Sequence, residues 1–264
     1  MHQQQIKNFK AWFAKYVAAF YGDDSYVNAN LKLKEDHSRR VCQEMRYLTG
    51  ELDLSDNQKR VAEVIALFHD IGRFEQFKKY RTYNDPRSTD HCLLGLKVLK
   101  ETNALDGVDK EETELIEKAV RYHGCKQLPP DLGGQCLLFS KLIRDADKLD
   151  VYYTIITYYT QYRDNPRNFA LELELPDQPH YSPEVVDAIL RGQLIDFNRL
   201  QTLNDMKLLQ LGWVYDINFT AALKRIRQRK FLQMLLDFLP QTPDIEKVKE
   251  KIFAYVDFRI RQEP

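Results

Sequence analysis

Apolar residues recur along this chain at intervals of three and four, the spacing that gives a helix one buried face. Trp12, Phe13, Tyr16, Val17 and Phe20 form such a face and predict a helix over about residues 4–20. Leu33, His37, Val41, Met45 and Leu48 form a second. A third opens at Ser55, whose hydroxyl can accept from the backbone near Gln58 while Gln58 reaches back, and continues through Val61, Val64, Ile65 and Phe68 to His69. After Gly72 comes a short helical piece, then a loop over 81–87 with the turn signal Asn84-Asp85-Pro86. Ser88 is placed to cap a helix carrying His91, Leu94, Gly95 and Val98. Asp109, with Glu112 three residues on, caps one ending near His123. The pairs Pro129-Pro130 and Gly133-Gly134 break the pattern before a long helix from about Leu137 through Asp147 into the tyrosine-rich stretch 152–162.

Strand-like alternation appears only near Leu171 to Leu175, so the fold class is all-α. The segment 163–181, with Pro166, Pro176 and Pro179, is the best boundary, which gives a core over 1–165 and an appended helical region over 166–264 packed on it. Ser182-Pro183-Glu184 restarts a helix with a cap and a proline in its first turn. Further amphipathic helices are expected over 217–239 and 245–260. Trp213, Tyr215, Phe219, Phe231 and Phe238 read as the core of this region, and the tyrosines of 152–162 as buried packing.

Composition narrows the partners. Apolar residues are 44% of the chain and charged residues 30%, the balance of a self-folding globular protein. The 39 basic and 39 acidic residues cancel, and no basic block supplies the positive surface on which non-specific nucleic-acid binding depends. No apolar run approaches the roughly 20 residues that span a bilayer, and MHQQQIKNFK has no signal-type apolar segment. The expected setting is cytoplasmic, with a small molecule as partner and a homodimer left open. Cys42, Cys92, Cys125 and Cys136 form no CxxC pair and read as reduced, packed thiols, so a metal here is expected to take nitrogen and oxygen ligands.

The chemistry lies where histidines fall on apolar stripes. His37 follows Leu33 at a four-residue step, and His69 follows Val61 and Ile65. His123 follows Ile116 and Ala119/Val120, and His91 begins the stripe of Leu94, Gly95 and Val98. Asp147 lies between Ile143 and Val151 at the same step. Four of six histidines thus face inward, while His2 and His180 lie in polar segments and receive no role. A buried imidazole or carboxylate without a partner costs kilocalories, and a cation compensates several at once. Helix-borne His and Asp converging in a core are an established route to a metal site.

Phe68-His69-Asp70-Ile71-Gly72-Arg73, preceded by His37 and followed by Asp145-Ala146-Asp147-Lys148-Leu149-Asp150, resembles the HD superfamily of metal-dependent phosphohydrolases over roughly the first 160 residues. The resemblance implies an HD-type helical bundle with additional C-terminal helices. It implies one or two divalent ions (Mn, Fe, Co, Ni, Mg or Zn), the first held by His37, His69, Asp70 and Asp147, with Asp70 bridging to a second held by His91 and His123. Asp147 is chosen over Asp145 and Asp150 by motif and by helical phase. The implied reaction is hydrolysis of a phosphoester in a nucleotide or other small phosphorylated metabolite by metal-activated water. Asp70, Arg73 and Lys148 are the catalytic candidates, with Arg73 as a phosphate clamp. Arg144 could add charge, and Gln76, Asp90 and Asp150 are candidates for orienting ligands or touching substrate. The acidic pair that guanosine tetraphosphate hydrolases carry after His-Asp is replaced by Arg73-Phe74-Glu75-Gln76, and Tyr122-His123-Gly124-Cys125 lacks the Gly-Tyr-Pro signature of the cyclic-dinucleotide branch. The alternatives are an HD-fold di-iron oxygenase, since the same donors suit iron, and a nucleotide-binding regulatory module without turnover.

Overall fold

The computed structural model describes residues 1–164 and 175–262, and it is all-α, with no strand among the described residues. The chain divides into two compact units, Met1–Asp150 and Val151–Pro264. The boundary expected near 165, and all but the last residue of the strand-like stretch, lie outside the described residues.

The first unit contains α1 (Gln3–Ala18), α2 (Ser25–Glu51), α3 (Asp56–Phe68), α4 (Gly72–Tyr80), α5 (His91–Glu101) and α6 (Lys110–Tyr122). It also takes the first half of α7 (Gly134–Asp164). Helix α3 is the hub: α1, α2 and α6 all pack on it, while α4 packs on α5 and α5 on α6. Its buried side carries Val61, Val64, Ile65 and Phe68, the stripe read from sequence. Phe68 receives the rings of Phe9 and Trp12 edge-on at 5.7 and 5.5 Å. Phe13, Phe74 and Phe77 are likewise fully buried. Ser55 makes the expected capping box with Gln58.

Two expected caps differ. Helix α5 starts not at Ser88 but after Asp90, whose carboxylate accepts from Leu93 N at 3.0 Å. Ser88 instead donates to Asn84 O and accepts from Gln76. Asp109 caps α6 by accepting from Glu111 N, while Glu112 reaches across to Asn57 rather than back to its own helix. An acid three residues past a cap can find a better donor elsewhere, and here it does.

The second unit contains the end of α7, then α8 (Pro183–Leu190), α9 (Leu203–Gly212), α10 (Thr220–Gln228), α11 (Phe231–Leu236) and α12 (Pro243–Arg261). The expected helix over 217–239 is two, because the chain turns at Lys230, whose φ of 57° is left-handed. Helix α8 has its N-terminal proline, but Ser182 gives its hydroxyl proton to Asp205 and does not cap. Tyr152 and Tyr159 are buried and donate to the backbone and side-chain oxygens of Gln210, and Tyr152 stacks on Phe231 at 5.8 Å. These two are packing, as expected, but Tyr153 is exposed and Tyr158 and Tyr162 are only half-buried, because a helix packed on one side turns the tyrosines off that face toward water.

Candidate metal centre

The six residues singled out by phase converge in the first unit, and the local backbone explains how. His69 and Asp70 lie in the tight junction between α3 and α4, where His69 is the C-cap of α3 and Ile71 precedes α4. His123 is the C-cap of α6 and keeps helical dihedrals, so the stripe of Ile116 and Val120 carries through to it. A helix C-terminus leaves carbonyls without partners, and both histidines use one. Nδ1 of His69 is 2.8 Å from Ala66 O, and Nδ1 of His123 is 2.8 Å from Val120 O, three residues back in each case. His37, inside α2, and His91, the first residue of α5, have Nδ1 on carboxylates instead. His37 meets Asp150 at 2.7 Å, and His91 meets Asp85 at 2.5 Å. The oxygens that face the four Nδ1 atoms only accept, so each Nδ1 carries its proton and each Nε2 turns inward.

The Nε2 atoms form two pairs. His37 and His69 are 3.2 Å apart, and His91 and His123 are 3.1 Å apart. Asp70 stands between the pairs. Its Oδ2 is 3.5 Å from His37 Nε2 and 3.7 Å from His69 Nε2, while its Oδ1 is 3.5 Å from His91 Nε2 and 3.6 Å from His123 Nε2. Asp147 adds Oδ1 at 3.2 Å from His37 and 3.8 Å from His69. Ligands at about 2.1 Å from one ion lie about 3–3.5 Å from each other, so the separations in both pairs fit ions shared within each half.

Electrostatics points the same way. Burial disfavours the charged form of His37, and so does Lys34, but Asp147, Asp150 and Asp70 outweigh them and bring its pKa to about 10. His123 is likewise raised well above the usual range, against burial, by Asp70 and Cys92. His69, dominated by burial, falls to about 4. Despite burial, Lys34 and the imidazoles keep Asp70 ionised well below the usual carboxylate range. The cluster therefore favours positive charge at its centre. The residues fit a divalent cation.

Around these six, Asp150 also accepts from Arg40. Gln76 is fully buried and donates to Asp85 Oδ1, Ser88 Oγ and Thr89 O. Arg73 uses Nη1 on Gln76, Tyr83 O and Asp85, with Nε 3.4 Å from Asp70. Arg144 donates to His123 O and Cys125 O and holds the chain after α6. Asp90 caps α5 and pairs with Arg121 at 3.3 Å, so the carboxylate on His91 Nδ1 is Asp85. Lys148 is half-buried beside Asp147, and Asp145 is fully buried.

Three neighbours escaped the sequence reading. Asp85 sits in what reads only as a turn. Lys34 puts Nζ 2.7 Å from Asp70 Oδ2 and faces the Tyr83 ring at 5.4 Å. It lies three residues before His37, a helical neighbour that the phase argument can find. Cys92 follows His91 and lies against both distal imidazoles. Burial raises its pKa, but the two histidines outweigh that and lower it to about 6, whereas Cys42, buried beside Glu63, is pushed up to about 12.

Residues 35–152 match the family model of the HD domain, a stretch that contains all six converging side chains. The chain carries an HD domain. The HD domain is an all-α fold whose family is mostly metal-dependent hydrolases, and the all-α core with its His/Asp cluster agrees with the match over these residues. No curated protein and no solved structure matches the chain. No helix among the described residues is long and apolar enough to cross a membrane.

The HD core's outer carboxylates make one expectation immediate. Asp85→Ala leaves Nδ1 of His91 without its partner, and titration calorimetry is expected to find divalent metal bound about 10–100-fold more weakly, with the melting temperature of the metal-free protein little changed. A comparable fall in that melting temperature would mean that Asp85 supports the fold and not a ligand.

Proposed function

We propose that this HD domain is a dinuclear metal-dependent phosphohydrolase acting on a nucleotide or other small phosphorylated metabolite. The observation that carries the reading is Asp70, which faces His37 and His69 with one oxygen and His91 and His123 with the other. His37, His69, Asp70 and Asp147 would hold one ion, and Asp70, His91 and His123 the second. Imidazole with carboxylate suits Mn, Fe, Co, Ni or Zn, and Mg, which prefers all-oxygen surroundings, least. Divalent ions at such a site supply Lewis acidity, lowering the pKa of a water and neutralising charge on phosphoryl oxygens.

The protein's own contribution is orientation and access. Asp150 and Asp85 fix the rings of His37 and His91, and Gln76 with Arg73 fixes Asp85. Asp147, whose side chain is 27% exposed beside otherwise buried ligands, marks the side from which water and substrate reach the site. Arg73 is committed to Asp85, Gln76 and Tyr83, so the phosphate clamp passes from it to Lys34, whose ammonium stands at Asp70 near the same opening. Lys148, next to Asp147 in the chain and half-buried, would add positive charge.

Lys34→Met is expected to lower kcat/KM about 10–100-fold, the worth of one charge-assisted hydrogen bond, while metal stoichiometry stays at two. Loss of metal with activity would make Lys34 a support of Asp70 only. The function itself is tested by phosphate release from nucleoside mono-, di- and triphosphates and sugar phosphates, with metal content measured on the same preparation. Iron-dependent oxygen uptake without phosphate release would replace the reading with an oxygenase, and nucleotide binding without turnover would replace it with a regulatory module.

A further inference from the structure

The two halves of the site are unequal in charge. The half around His37 and His69 has two carboxylates, Asp147 and its share of Asp70, whereas the half around His91 and His123 has only its share of Asp70. The second half has a sulfur beside it. Cys92 Sγ lies 3.4 Å from His91 Nε2 and 3.6 Å from His123 Nδ1. The three side chains are buried, and the donor atoms group closely enough to hold one ion.

We propose that Cys92 is a thiolate ligand of the His91–His123 half, so that this half binds a borderline-soft divalent ion of the zinc or cobalt class through two imidazoles, Asp70 and sulfur. The proposal rests on the dinuclear reading above and reverses the expectation that only nitrogen and oxygen ligate.

Nitrogen and sulfur ligands on one tetrahedral ion, at about 2.0 and 2.3 Å from it, lie about 3.5 Å apart, which matches the 3.4 Å between Cys92 Sγ and His91 Nε2, while the sulfur meets His123 on the Nδ1 side of its ring. His91 and Cys92 are the first two residues of α5, and consecutive side chains on a helix diverge, so one site must reach around the helix start to meet both. The chain after α6 makes room for this: a Cβ on Gly124 would lie 2.9 Å from Cys92 Sγ and 3.0 Å from His91 Cε1. Cys42 and Cys125 are different, each with its thiol 3.9 Å from a backbone carbonyl. On ion binding the S–H bond breaks, the metal–sulfur bond forms and the proton leaves to solvent, so no oxidant or reductant is involved.

The full chain loaded with cobalt is expected to show an intense thiolate-to-cobalt charge-transfer absorption in the near ultraviolet. Zinc-loaded protein is expected to show a sulfur scatterer at about 2.3 Å by X-ray absorption. Cys92→Ser should remove both signals and weaken the second equivalent by about tenfold or more, with the first retained. Two bound ions without a sulfur signal would overturn the role of Cys92 and leave the dinuclear reading standing. One bound ion with a sulfur signal would keep Cys92 and overturn the dinuclear reading, and one ion without it would overturn both. The wild-type spectra decide even if the serine variant fails to fold.

Discussion

Asp70→Asn is expected to lose phosphohydrolase activity by about 10^3-fold or more, since it withdraws several kilocalories of metal-based stabilisation at once. Asparagine keeps the volume and one oxygen of the side chain but removes the charge and turns the other oxygen into a donor. Both halves of the site use Asp70, one through each oxygen. Metal content should therefore fall in both halves, in contrast to Asp85→Ala, which acts on one. The fold should survive, because Lys34 is 16% exposed and can turn to water, Arg73 keeps Asp85, and His37 and His123 can give up the proton that Asp70 favours. Elemental analysis and phosphate release, with circular dichroism as the control for folding, read all three effects. An asparagine variant that still binds two ions and turns over would remove Asp70 from the centre of the mechanism.

How much of this was legible without coordinates follows from the nature of each signal. The convergence of His37, His69, His91, His123 and Asp147 is readable because side chains on helices inherit the phase of the apolar stripe, and burying several polar groups together has few physical explanations. The all-α class followed from the same periodicity. Asp85 was not readable, because it acts from a short 3-10 turn, Asp85–Arg87, and no periodicity relates it to the helix start it supports. The cap of α5 was misplaced for a related reason. Ser88 and Asp90 are both good caps by residue type, and the choice was made by Gln76, which takes Ser88 from a different helix. Arg73 has the right position and charge for a clamp, but its guanidinium is claimed by Asp85 and Tyr83 O, contacts that depend on how the loop over 81–87 folds back. Phase finds what points inward, and tertiary structure decides what it is bonded to.

Gly72→Ala should be the most destabilising small substitution in the first unit. A Cβ there would lie 2.6 Å from Gly95 N and 3.1 Å from Gly95 Cα, and closer still to His91 O. These are backbone atoms of α5, so no side chain can swing aside and the helix itself must shift. The cost is expected at the upper end of overpacking, about 3 kcal/mol, or about 6–12 °C in melting temperature for a chain of this size. The shift also carries function, because the atom most compressed belongs to His91, whose Nε2 is 3.1 Å from that of His123. The second metal equivalent should weaken even in the fraction that stays folded. Gly95→Ala is the control from the other side of the same contact. Its Cβ would meet Ile71 Cγ2 and Val120 Cγ1 at 3.5 Å and Gly72 N at 3.6 Å, all ordinary contacts. Alanine in the middle of α5 should then stabilise by up to about 1 kcal/mol through helix propensity. Opposite signs from two glycines that face each other would locate the constraint at the α4 start, where the chain must leave the His69-Asp70 junction directly against the residue that supplies the next ligand. A Gly72→Ala protein with unchanged melting temperature and metal content would mean that α4 and α5 do not approach so closely, and the second half of the site would lose its structural basis.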